Sequence, residues 1–214
     1  MRSLLTLTLC VLCLIAAAPS RSAAQNEQGI PKEVRKKFEK AALFPFYDAA
    51  NDVTSVHMVA VGLTGRWGNS SGAESLLAAS LGVRPEGERF SLYFTFPGKV
   101  FTPPGKVTLR LVSTSRAVPG LANGQEAEVS INADGAGVTN VKSSVETQKF
   151  KTDIPKPNTE YVEQMLDVPL TIEEFRRLAA SKRAEVIVEG KSIPLKERHL
   201  KALRRVVDAI GGAH

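Results

Sequence analysis

From Phe90 to Phe96 apolar and polar side chains alternate without a break, with Phe90, Leu92, Phe94 and Phe96 on one face and Ser91, Tyr93 and Thr95 on the other. A period of two is the period of a strand, and four large apolar side chains in line oblige that face to be covered by a second layer. Val107, Leu109 and Leu111 repeat the pattern against Thr108 and Arg110, after the breakers Pro97-Gly98 and Thr102-Pro103-Pro104-Gly105. The two runs are expected to pair as a hairpin. Thr54 to Leu63 is rich in β-branched residues, and Ala127, Val129 and Ile131 alternate with Glu126, Glu128 and Ser130. Asn132-Ala133-Asp134-Gly135 then turns the chain into a strand around Val138 to Val145. Short strands punctuated by Gly, Pro, Asn and Asp predict an antiparallel, β-sandwich-like body or partial barrel, residues 51–157.

Helical patterns flank this body, so the expected fold class is α+β. Pro31 opens a helix whose apolar face is Val34, Phe38 and Ala42, with Pro45 as its stop; with its lead-in it fills residues 25–50. Residues 158–214 read as strand, helix, hairpin, helix. Thr171 is placed to cap the amide of Glu174, whose carboxylate reaches back, with Leu170 and Phe175 as the hydrophobic staple. Glu185 to Val188 and Ser192 to Leu195 form the hairpin about Glu189-Gly190-Lys191. A last helix carries Leu200, Leu203, Val207 and Ile210 on its inner face, ends at Gly211-Gly212, and starts at Lys196 without a capping side chain. Ser71 to Glu74 has capping-box spacing ahead of Leu76, Leu77 and Leu81, a helix that sheet context could override.

Residues 1–24 read as an export signal: Arg2, an apolar stretch from Leu4 to Ala18, and small Ser22-Ala23-Ala24 before Gln25. Both cysteines, Cys10 and Cys13, lie inside it, and each follows a leucine, which argues against lipidation. The expected product is periplasmic or extracellular and holds together without a disulfide or a thiolate metal site. A hydrophobic share of 43% and a charged share of 23% exclude a disordered chain and a polytopic membrane protein.

Tyr47-Asp48, Asn51 to Val56, Pro97-Gly98-Lys99, Thr102-Pro103-Pro104 with Val107-Thr108-Leu109, and the tail from Leu170 to Val207 together resemble a group of exported bacterial proteins. The resemblance covers most of the chain after residue 24, except 65–87. It implies a C-terminal succession of helix, hairpin and helix, and no activity or site residues.

Chemistry-bearing motifs are sparse. Gly68-Asn69-Ser70-Ser71-Gly72 matches the nucleophile elbow of serine hydrolases, which makes Ser70 the alternative catalytic reading, but that elbow needs a parallel sheet and a histidine in reach. His57, His199 and His214 lack ligand spacing, so no metal or cofactor is expected. Glu126 with Glu128, and Glu173 with Glu174, are explained by a solvent face and a helix start. Trp67 is a contact residue if exposed and a loop anchor if buried.

Charge is the one asymmetry. Residues 25–170 carry 16 basic and 16 acidic side chains, whereas the last 44 carry ten and six. Lys191, Lys196, Arg198, Lys201, Arg204 and Arg205 are the candidate contacts for an anionic glycan, a membrane surface or an envelope protein. Nucleic acid is not expected, since the basic residues are not interleaved with aromatics. The function expected is that of a non-enzymatic binding or interaction protein.

Overall fold

The computed structural model describes residues 32–63, 86–116, 121–152 and 159–211. Within them lie three helices and eleven strands, all paired antiparallel in two sheets. The larger sheet runs β1 (Leu43–Asp48), β2 (Val53–Met58), β4 (Gly87–Pro97), β5 (Lys106–Ser115), β9 (Thr159–Thr171), β8 (Glu146–Thr152), with the short β3 (Val61–Gly62) also on β4. The smaller is β11 (Lys191–Leu195), β10 (Ala184–Val188), β6 (Glu126–Ala133), β7 (Ala136–Ser144).

The alternation places the core. Phe90, Leu92, Phe94 and Phe96 are all buried, and β4 pairs with β5 so that Phe90 faces Leu111 and Leu92 faces Leu109. Ala127, Val129 and Ile131 of β6 are fully buried across from them, and both inner faces join one core. The β6–β7 and β10–β11 connections are two-residue turns at Asp134-Gly135 (φ +50° and +83°) and Glu189-Gly190 (φ +48° and +76°). Two successive positive φ values match the right-handed twist of the flanking strands.

Three helices, α1 (Lys32–Lys40), α2 (Ile172–Ala180) and α3 (Glu197–Ile210), complete the core. The single buried side chain of α1, Phe38, meets Phe94 and Phe101 edge-on at 6.2 and 5.3 Å. The helix ends earlier than its spacing suggested. Ala42 stands at φ +55° beyond it, and Pro45, expected as the stop, lies inside β1. A sheet-edge strand tolerates the missing donor. On α3 the buried positions are His199, Leu200, Leu203, Val206, Ala209 and Ile210, while Val207, expected inward, is half-buried. β9 pairs with β5 and β8, and β10 pairs with β6, so the C-terminal strands are woven into the body. The expected signal peptide, the helix expected at 71–82, Trp67, Ser70 and His214 lie outside the described residues.

Candidate functional site

Folding redistributes the charge that the sequence assigned to the C-terminus. Arg204 is not outward: its Nε donates to Ala179 O at 2.9 Å and its Nη2 to Ser181 O at 3.1 Å, closing the end of α2, while Nη1 bonds Glu197 at 2.6 Å. A cation at a helix C-terminus satisfies orphan carbonyls and complements the dipole. Lys191 is exposed but bonded to Glu88 at 2.9 Å across from the larger sheet. Arg198 turns toward the Gly62 carbonyl, with Nη2 at 3.3 Å. Lys196, Lys201 and Arg205 remain exposed.

What the sequence hid is the other half of the surface. α1 packs against α3, although 165 residues separate their first positions. α1 carries five basic and two acidic residues and α3 four and two, a net of +5 on two adjacent helices in a chain of net +6. Lys37 and Lys40 of α1 and Arg205 of α3 line one groove of about 340 Å³, with Asp208 its only carboxylate among the described residues. Among those residues Lys37, Lys40, Lys201 and Arg205 form no ion pair. Neither helix carries an exposed large apolar side chain; those described are Phe44, Phe46 and Val100. The available interaction is therefore electrostatic.

A second array crosses the outer face of the larger sheet. Arg110 of β5 holds Asp167 of β9 through two bonds of 2.7 Å, and Tyr93 of β4 donates to the same carboxylate at 2.9 Å. Arg110 also lies 5.2 Å over the Tyr93 ring, whose other neighbour is the stacked His57 ring at 5.8 Å. Burial opposes ionisation of Asp167, but the bonds from Arg110 and Tyr93 outweigh it and hold its carboxyl below the usual range. Burial, then the Arg110 charge, lowers His57. The residues alternate correctly in sequence, but their alignment depends on strand register, which no local pattern shows.

The remaining candidates resolve as structural. Glu126 lies 4.0 Å from Lys142, and Glu128 accepts from Asn140, both contacts along the exposed β6–β7 ladder. Glu174 and Thr171 form the reciprocal cap expected of them. His199, read as part of a charged helix, is fully buried. Its Nδ1 accepts the Lys196 amide at 2.9 Å, so the proton sits on Nε2, which donates to Gly62 O at 2.9 Å. Burial, then the charge of Arg198, depresses its pKa to about 4. No group of three potential metal ligands occurs among the described residues, and no helix there is long and apolar enough to cross a membrane. Comparisons with protein families, with curated proteins and with solved structures find no significant match.

Proposed function

We propose that this is a non-catalytic binding protein of the bacterial envelope or exterior that docks on an anionic membrane surface through α1 and α3. The observation that carries the reading is the pooling of a net +5 on two adjacent helices. The body of two sheets serves as the scaffold, and the C-terminal helix, hairpin and helix form the frame that presents α3 beside α1. With no apolar wedge on either helix, docking is peripheral and rests on charge, worth about 1 kcal/mol per Lys or Arg near an anionic surface. Co-sedimentation with phosphatidylglycerol-containing vesicles should be strong at low salt and lost well above physiological strength, where the screening length of about 8 Å shortens further. Replacing Lys37 and Arg205 together by Gln should weaken binding about thirtyfold, the equivalent of ~2 kcal/mol. Equal binding to uncharged vesicles, or retention at high salt, would show the reading to be wrong.

A further inference from the structure

At one end of the body, between the two sheets, the described residues leave a cleft of about 350 Å³, within the range of small-molecule sites. Its wall is aliphatic: Leu63, Leu111, Leu121, Val145, Leu166 and Ile193. No aromatic ring occurs among the described lining residues. Inward of it, Leu111 also lines a narrower gap with Phe90, Leu109, Val186, Leu195 and Leu203 that has no room for a water molecule, so the cleft ends there. Polar side chains gather on the exposed side. Lys191 bonds Glu88 there, and Ser113, Gln164 and Glu189 complete the lining. The charged side chains of the described lining are all bonded, Lys191 to Glu88, Arg89 to Glu163, and Glu189 to the Glu128 amide.

We infer that this cleft binds an amphiphile with a single hydrocarbon tail and an uncharged polar head. The argument is one of complementarity. An apolar recess closed at its inner end gains nothing from water and takes hydrocarbon readily. The aliphatic character of the described lining favours a flexible chain over a flat aromatic ligand, which gains most from stacking partners. At ~30 Å³ for each methylene-sized group, a water molecule's share of the liquid, the space holds about ten to twelve of them. The tail enters first, and the head stays among Ser113, Gln164 and the Glu88–Lys191 pair. A head of either sign would have to break one of the lining's bonds to find a partner. The inference does not depend on docking through α1 and α3, whose side chains line a different part of the surface.

The test is calorimetric titration with monodecanoylglycerol below its micelle concentration, beside the octanoyl and hexanoyl esters and decanoate. Saturable one-to-one binding is expected, weakening about fourfold for each methylene removed. Decanoate should bind at least tenfold more weakly. Leu121→Trp and Val188→Phe each place bulk in the cleft from half-buried positions. At least one variant that keeps the wild-type melting temperature should lose tenfold or more. No saturable binding by the wild type overturns the site, including the case in which the chain's own residues already fill it. Equal binding of decanoate overturns the uncharged head, and undiminished binding in both variants overturns the placement.

Discussion

Arg89 and Glu163 are the most heavily committed charged pair of the molecule's described part, with side-chain exposures of 11% and 4%. They join β4 to β9 across β5, where Thr114, itself buried, accepts from Arg89 at 2.6 Å and donates to Glu163 at 3.2 Å. Such a triad is weak evidence for stability as a whole, because desolvation offsets much of the attraction. Removing one partner is another matter, since the other charge is left in a site with little water. Glu163→Ala should cost about 3–5 kcal/mol in chemical denaturation. A double replacement of Arg89 and Glu163 by Leu and Met should cost clearly less than the sum of the two single changes, because the orphaned charge disappears with its partner. A Glu163→Ala loss below about 1 kcal/mol would mean that solvent reaches the pair. Arg204 teaches the same lesson on α3: a basic residue on the polar side of a helix pattern can be spent on the carbonyls of a neighbouring helix rather than offered to a partner.

At the scale of elements, the capping box of α2 is the best-specified local structure. Thr171 Oγ1 accepts from the Glu174 amide at 3.2 Å, and the Glu174 carboxylate accepts from the Thr171 amide at 2.8 Å. Thr171→Ala should lower stability by about 1 kcal/mol, read as a shift of the denaturant midpoint at constant slope; an unshifted midpoint would count against the cap. This cap was legible in the sequence because all its partners lie within four residues, and the β4 face was legible because a period of two needs no knowledge of the partner strand. Residue contacts set by the fold were not. The alignment of Tyr93, Arg110 and Asp167 requires the register of three strands, and the cationic groove requires α1 to lie beside α3. Phe38 is the only buried residue that ties α1 down, and one aromatic in a basic segment does not announce its destination. The end of α1 is hidden for a related reason: Pro45 reads locally as a helix stop, but the left-handed Ala42 turns the chain into β1 before it.

Across the whole molecule, His199 ties the helical layer to the larger sheet, reaching Gly62 O, 137 residues away, with Phe90 against its ring at 5.9 Å. It also supplies at α3 the start that Lys196 lacks, since its Nδ1 takes the amide a Glu would take in a capping box. The Nδ1 bond requires the neutral ring, since a protonated Nδ1 cannot accept. Burial and the Arg198 charge depress the folded-state pKa to about 4 from an unfolded value of 6.5. Between those values the unfolded chain binds a proton and the folded one does not, so stability rises with pH. On acidification from neutrality it is lost from about pH 6.5 down to about pH 4, by up to about 3 kcal/mol, and this group adds nothing below that. His57 shifts in the same direction but is exposed, and the lowered carboxyls of Asp48, Asp167 and Glu185 act only in more acidic solution. Urea midpoints measured at pH 7 and pH 5 should therefore fall in the wild type and in His57→Gln. In His199→Gln, whatever its absolute stability, most of that difference should vanish. An undiminished difference there would place the acid sensitivity elsewhere and leave the His199 ring free to protonate without loss of its contacts.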